Sequence, residues 1–119
     1  MLKSEHEQNT VTEAEINLLH QQVCYALSDP TRILILYILK EGPRSVGELT
    51  ARMKLPQSTV SRHLRVLRDR SIILLEKRGT SNLYTIADTR IVDALDLLRQ
   101  VLNQQLTEQA KLTAAIQNT

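Results

Sequence analysis

The spacing of apolar residues predicts an amphipathic first helix. Thr12 and Glu15 have the spacing of a capping box, which satisfies N–H groups at a helix start. The apolar positions that follow recur at intervals of 3, 4 and 3, as expected for one helical face: Ile16, Leu19, Val23 and Ala26. We expect this helix to run to about Leu27.

A run of apolar residues over 33–39 fits either a buried strand or a buried helix. Ser28-Asp29 supplies cap oxygens before it, Pro30 suits a first helical position, and Gly42-Pro43 after it is typical of a helix end. These flanks favour a helix. Because the run is apolar on all sides, we expect it to lie at the centre of the domain.

Two shorter helices joined by a tight turn are predicted next. Ser45 and Glu48 repeat the capping-box spacing and open a helix that runs to about Met53. Lys54-Leu55-Pro56 breaks it, and a helix over 57–69 follows. The buried side of that helix is marked by apolar residues at spacings of 4 and 3: Val60, Leu64 and Leu67. A short helix, a tight turn and a polar-faced helix are typical of a helix-turn-helix.

A β-hairpin and a long last helix complete the pattern. Residues 72–78 and 83–86 have the pattern of strands, with a turn at 79–82 between them. Asp88 is placed to cap the final helix, whose apolar positions recur at intervals of 4, 3, 4 and 4: Ile91, Leu95, Leu98, Leu102 and Leu106. The predicted fold is mainly α with a small β-hairpin, a winged helix-turn-helix in the order α-α-α-α-β-β-α.

Charge is distributed unevenly along a chain whose net charge is only +2. Residues 44–78 contain nine Lys or Arg and three Asp or Glu, or +6, whereas the other residues contain six and ten, or −4. A basic cluster on a helix-turn-helix and its hairpin is typical of phosphate binding. Taken alone, the polar side of the helix could instead be a solvated face. The hairpin alone could be an edge hairpin whose charges prevent pairing with other strands.

The polar face of the helix over 57–69 is the candidate surface for reading DNA bases. Arg62 lies about 200° around the helix from Val60, on the side opposite the apolar residues. Arg forks bind guanine edges, and Gln, Ser and Thr reach other bases or phosphates. Small and basic residues at the hairpin tip, Asn82 among them, let the backbone approach phosphates. The predicted contacts to double-stranded DNA are Gln57, Ser58, Thr59, Ser61, Arg62, His63, Arg65, Lys77, Arg78, Thr80 and Ser81.

Four motifs in this order resemble the ArsR/SmtB family of winged-helix repressors: Leu27–Ile33, Ser45–Leu49, Ser58–Leu67 and a basic wing ending in Tyr84. The match spans roughly residues 12 to 106. The resemblance implies a homodimeric, sequence-specific DNA-binding repressor that an inducer releases, with a dimer interface formed by the first and last helices. The apolar stripes agree with that interface: Ile16, Leu19, Val23, Ile91, Leu95, Leu98 and Leu102. A two-fold dimer would place its recognition helices about 34–36 Å apart on a palindromic operator.

The sequence departs from the family at its sensor sites. Many members bind metal through a Cys-x-Cys pair after the Glu-Leu of the third helix, but here Glu48-Leu49 is followed by Thr-Ala-Arg. No His follows His63, so the last-helix metal site is absent in its usual form, and a single cysteine excludes an intrachain disulfide. His20 and Cys24 share a helix face and remain candidate ligands of a metal-responsive repressor, with more ligands from a dimer mate. A packed Cys24 beside a partly exposed His20 is the alternative.

Other function classes have less support in the sequence. No nucleophile elbow, phosphate loop or carboxylate pair accompanies His63, so we expect neither catalysis nor a cofactor. No apolar run approaches the ~20 residues that cross a bilayer, and the first residues lack a secretory signal, so we expect a cytoplasmic protein without a membrane partner. A winged-helix module that binds protein rather than DNA is the alternative.

We expect a flexible tail at 1–11, a DNA-binding and dimerisation domain at 12–106, and a helix extension or tail at 107–119. The identity of the inducer is not indicated.

Overall fold

The computed structural model of the protein describes residues 10–118, so most of the predicted tail at 1–11 lies outside the described residues. The predicted order of elements is confirmed. The chain divides into two compact units, one ending at Ala87 and the other beginning at Asp88. The elements are α1 (Glu13–Leu19), a π-helical segment (His20–Cys24), α2 (Pro30–Lys40), α3 (Val46–Met53), α4 (Gln57–Asp69), β1 (Ile73–Arg78), β2 (Ser81–Ile86) and α5 (Arg90–Gln117).

The first helix begins as predicted and changes geometry in its middle. The hydroxyl of Thr12 accepts the N–H of Glu15 at 3.2 Å. The chain is helical to Ala26, close to the predicted end at Leu27, but His20–Cys24 within it is π-helical, which the sequence pattern did not indicate. Because a π-turn closes i→i+5 instead of i→i+4 hydrogen bonds, it shifts the helical phase, and a stripe spaced for 3.6 residues per turn no longer lies on one straight face. Along the predicted stripe, Ala26 is buried and Val23 is half-buried. Ile16 and Leu19 are exposed.

Helix α2 supplies much of the core of the first unit. Asp29 caps it, accepting the N–H groups of Thr31 at 2.8 Å and Arg32 at 3.3 Å, and Pro30 occupies the first helical position. Its buried apolar residues are Ile35, Leu36, Ile38 and Leu39. The apolar run is not buried throughout, since Leu34 is 50% exposed. Helix α2 contacts α4 and β2, and these contacts leave one side of it to solvent.

The helix-turn-helix forms as the sequence predicts. Both hydrogen bonds of the capping box are present, from Glu48 N–H to Ser45 Oγ at 3.1 Å and from Ser45 N–H to Glu48 Oε1 at 3.2 Å. Lys54 ends α3 in the left-handed conformation, with φ +56°, and its N–H bonds to the Thr50 carbonyl at 2.9 Å. Helix α4 then packs on α3 and buries the three predicted residues: Val60, Leu64 and Leu67.

The hairpin has a shorter turn than the sequence suggests. Arg78 pairs with Ser81 in the antiparallel register, so the loop consists of Gly79-Thr80 alone. Gly79 has φ +63°, and a first loop residue with positive φ is typical of type II′ hairpins. Ser81 and Asn82 therefore belong to β2 and not to the predicted turn. Strand β1 contacts α4, which places the hairpin beside this helix.

A short bridge joins the other edge of the hairpin to the loop before α3. The N–H of Tyr84 donates to the Arg44 carbonyl at 2.7 Å, and the N–H of Arg44 donates to the Tyr84 carbonyl at 3.2 Å. The bridge is antiparallel. Since backbone hydrogen bonds hold both edges of β2 at this point, the position of Tyr84 is fixed by pairing rather than by its side chain.

The second unit contains α5. Thr89 is the N-cap residue, and its side chain makes no cap hydrogen bond. The predicted cap, Asp88, instead accepts the N–H of Arg90 at 3.0 Å and binds its guanidinium at 2.6 Å. These bonds lower the pKa of Asp88 to about 2. The helix continues to Gln117, beyond the predicted domain limit at 106. No helix among residues 10–118 is long and apolar enough to span a membrane.

Candidate nucleic-acid interface

The outer face of α4 carries the polar residues that the sequence singles out. Gln57, Ser58, Ser61, Arg62 and Arg65 are exposed, and Thr59 is half-buried. Their arrangement follows from the burial of Val60, Leu64 and Leu67, because residues between these positions must point away from the core. Arg62 is central to that exposed face.

His63 differs from its neighbours because its ring meets a side chain of α2. It is half-buried, and its Nδ1 lies 3.3 Å from Nη1 of Arg32. A guanidinium only donates hydrogen bonds, so Nδ1 is the acceptor in this contact. The ring therefore links α4 to α2. A contact from His63 to DNA stays a prediction.

The basic residues of the segment 44–78 fall into two groups. Four are engaged through their side chains: Arg44 with the Pro43 carbonyl, Arg52 with Glu41, Arg70 with the Gln21 carbonyl and Arg78 with Glu76. The other five of the nine have no side-chain hydrogen bond or ion pair within the described residues: Lys54, Arg62, Arg65, Arg68 and Lys77. These five, which we call the free cations, belong to the turn before α4, to α4 itself and to β1.

The hairpin tip is exposed, as a contact surface requires. Lys77, Arg78, Thr80, Ser81 and Asn82 are all exposed. The guanidinium of Arg78 lies 3.1 Å from the Glu76 carboxylate, so part of its charge is already compensated. A Cβ placed on Gly79 would meet no atom within 4 Å, which leaves the turn open on that side. Lys77 is thus the uncompensated cation of the tip.

Arg32 and Arg70 connect the end of the first helix to α2 and α4, behind the exposed polar face of α4. Arg32 is 8% exposed and donates to the carbonyls of Ala26 at 2.8 Å and Tyr25 at 3.0 Å. Arg70, the C-cap residue of α4, donates to the Gln21 carbonyl at 2.6 Å and lies 4.5 Å from the centre of the Tyr25 ring. Sequence reasoning missed both roles, because a buried guanidinium among carbonyls has no periodic signal.

The candidate metal ligands lie in the π-helical segment. His20 and Cys24 are its first and last residues, and both are exposed. Within residues 10–118 no group of three or more His, Cys, Asp or Glu side chains is placed to hold a metal ion. A metal site that uses ligands from a second chain stays a hypothesis.

The predicted dimer residues differ in exposure. On the first helix, Ile16 and Leu19 are exposed and Val23 is half-buried. On α5, Leu98 and Leu102 are 62% and 52% exposed. Ile91 is half-buried and Leu95 is buried within the single chain. The exposed members are the ones available to a second copy.

A cleft in the first unit brings together residues that the sequence prediction included and others that it omitted. Its lining is formed by four residues of α4 and one of β2: Ser61, Arg65, Arg68, Asp69 and Tyr84. Arg68 and Tyr84 were not among the predicted contacts. The spacing of Ser61, Arg65 and Arg68, at 4 and 3, would have placed Arg68 on the same side of α4.

Comparisons with known proteins agree with this geometry. The family model described as "Bacterial regulatory protein, arsR family" matches residues 29–73. An HTH-type transcriptional regulator from Methanocaldococcus jannaschii is 36% identical over 81 residues, which are 67% of this chain and 91% of that protein. The transcriptional activator HlyU of Vibrio cholerae is 33% identical over 79 residues, which are 66% of this chain and 73% of that protein.

A solved structure agrees as well. The homodimeric winged helix-turn-helix DNA-binding domain of a possible ArsR-family regulator from Mycobacterium bovis superposes with a TM-score of 0.68 and 25% identity, and the alignment covers 82% of this chain and 92% of that chain. These proteins are regulators of transcription and not enzymes. The chain therefore belongs to the ArsR/SmtB family of winged helix-turn-helix transcriptional regulators.

Proposed function

We propose that the protein is a homodimeric, sequence-specific repressor that binds a palindromic operator and is released by an inducer. The observation that carries this proposal is the set of free cations on α4 and around it, next to an exposed row of Gln, Ser and Thr. If each of the five contacts one phosphate, a homodimer makes about ten such contacts, which corresponds to a slope near −9 in log affinity against log salt.

Selection of DNA ligands tests the sequence-specific part. Duplexes enriched from a random pool by the purified protein are expected to share an inverted repeat whose half-sites are about one helical turn apart. Arg62→Ala should reduce the preference for the selected duplex over a scrambled one by roughly 5- to 150-fold, as expected for loss of a bidentate base contact. Lys111→Gln on α5 removes one positive charge outside the basic segment and serves as the control. Failure of the wild-type protein to bind any duplex at low salt would overturn the proposal.

The exposed leucines of α5 support the homodimer, as does the homodimeric state of the Mycobacterium bovis domain. Apolar side chains of this size are costly to leave in water when several are contiguous. Leu102→Glu is expected to give a monomer in sedimentation equilibrium, because pairing would bury the new charge. Gln100→Glu introduces the same charge about 160° around the helix and should leave the dimer intact. Monomeric wild-type protein at micromolar concentration would contradict this part.

The direction of regulation is a separate question. The family resemblance supports repression, whereas HlyU is named as an activator. A reporter placed behind the selected operator should be expressed more strongly when the gene of this protein is deleted, and weaker expression would favour activation. Because its proposed ligand is chromosomal DNA, we place the protein in the cytoplasm. We assign DNA binding and dimerisation to residues 12–106, with 107–117 as an extension of α5.

A further inference from the structure

The two walls of the cleft come from the two elements proposed to contact DNA. Ser61, Arg65 and Arg68 lie on α4, and Tyr84 lies on β2 of the hairpin. Residues spaced by 4 and 3 on a helix form a row along one side, so the α4 wall carries a hydroxyl and two guanidinium groups in line. Backbone pairing on both edges of β2 fixes the opposite wall.

DNA geometry determines what would lie between these walls. The major and minor grooves of a duplex are separated by the sugar-phosphate backbone of one strand. When α4 occupies a major groove and the hairpin reaches the adjacent minor groove, that backbone must pass between the two elements. We propose that the cleft seats a backbone phosphate of DNA, bound by Arg68 and by the hydroxyl of Tyr84. The proposal rests on the DNA-binding function inferred above.

The chemistry of the lining suits this ligand. Arg65 and Arg68 have no ion-pair or hydrogen-bond partner among the described residues, and both are exposed. Guanidinium groups and hydroxyls are the donors that proteins use most for phosphate oxygens. A contact to a backbone phosphate carries no information about the bases, so the proposed contact is independent of sequence.

Asp69 is the one acid in the lining. Its carboxylate repels a phosphate, which weakens binding at that end of the cleft. Arg68 and Asp69 are the last two residues of α4, so the acid lies at the same end of the row as the proposed phosphate donor. Replacement of Asp69 is therefore a gain-of-function test.

Titration with a duplex of arbitrary sequence tests the seat, because phosphate contacts require no operator. Affinity is measured by fluorescence anisotropy between about 50 and 200 mM salt. Arg68→Gln is expected to lower affinity roughly three- to tenfold and to reduce the salt slope by about 1.8, because a homodimer loses one cation from each chain. Tyr84→Phe should lower affinity by about two- to fivefold without changing the slope, because it removes a neutral donor. Asp69→Asn should raise affinity by about the same factor.

Controls separate this seat from the proposed function. Lys111→Gln removes one positive charge from α5 and is expected to keep the wild-type slope. Each variant must melt at the wild-type temperature, which is expected because Arg68 and Asp69 are exposed. If the wild-type protein binds DNA but Arg68→Gln retains its affinity and slope, the seat is overturned and the DNA-binding function stands. If the wild-type protein does not bind, the function itself fails. If Arg68→Gln weakens only an operator and not the arbitrary duplex, Arg68 reads bases and the phosphate seat is wrong.

Discussion

The arginines on the two sides of α4 differ in what their side chains contact. Behind the helix, Arg32 and Arg70 are bound to backbone carbonyls of the first helix. On the outer side, Arg62, Arg65 and Arg68 have no partner within the described residues. A guanidinium that has exchanged water for protein carbonyls is part of the fold, whereas one that remains in solvent is available to a polyanion. Net charge alone does not distinguish these roles.

The largest expected effect separates the two sides by stability. Arg32→Ala removes the donor to the buried Ala26 carbonyl, whereas the Tyr25 carbonyl keeps the N–H and the hydroxyl of Ser28. It should lower the free energy of unfolding by about 1–3 kcal/mol. Arg62→Ala should change that free energy by less than about 0.5 kcal/mol, since its side chain is exposed. Urea denaturation followed by circular dichroism measures both. Equal losses in the two variants would show that the division into structural and free arginines is wrong.

A smaller effect concerns the cap that precedes Arg32. Partial burial opposes ionisation of Asp29, but the N–H groups of Arg32 and Thr31 and the nearby His63 outweigh it and lower the pKa of the carboxyl. A lowered pKa in the folded state means that stability from Asp29 is present above the unfolded value near pH 4 and is lost as the pH falls through the folded value.

Two substitutions test the cap. Asp29→Ala should cost about 1 kcal/mol at neutral pH by removing the acceptor of two N–H groups. Asp29→Asn keeps an acceptor and removes the titration, so its stability should fall less steeply than that of the wild-type protein below about pH 4. Identical acid unfolding curves for Asp29→Asn and the wild-type protein would show that the carboxylate charge has no role at this cap.

The smallest expected effect comes from releasing Arg78 from its ion pair. Glu76→Gln removes the partner of Arg78 and should raise affinity for a duplex of arbitrary sequence by about two- to fivefold at low salt. Stability should be unchanged, because exposed ion pairs contribute little. Glu108→Gln on α5 makes the same change of charge outside the basic segment and should have no effect on affinity. An equal gain in both variants would attribute the effect to net charge and not to Arg78.

The sequence predicted the elements that depend on local signals. The caps at Asp29 and at Ser45 with Glu48, and the buried face of α4, all follow from residues close together in the chain. The prediction of the hairpin turn failed because it depends on pairing between two strands. Gly79–Asn82 has the composition of a four-residue turn, but pairing of Ser81 with Arg78 extends β2 and shortens the loop to two.

The candidate site shows the same division. The polar row on α4 was predictable because it is the complement of the buried face. The cleft was not, since the proximity of Tyr84 to Arg68 depends on how the hairpin packs on α4. The contact between His63 and Arg32 likewise joins residues 31 positions apart, which no periodicity indicates.

The π-helical segment makes the first helix sensitive to the deletion of a single residue. A π-turn is equivalent to one residue inserted into an α-helix, so loss of a single codon within 22–24 would restore regular helical geometry while Gln21, whose carbonyl binds Arg70, is retained. It would also rotate everything before the segment by about 100°. Ile16 and Leu19 would then face a new direction while the recognition helix kept its place. One in-frame deletion would thus leave the exposed polar face of α4 unchanged and offer a different surface for association.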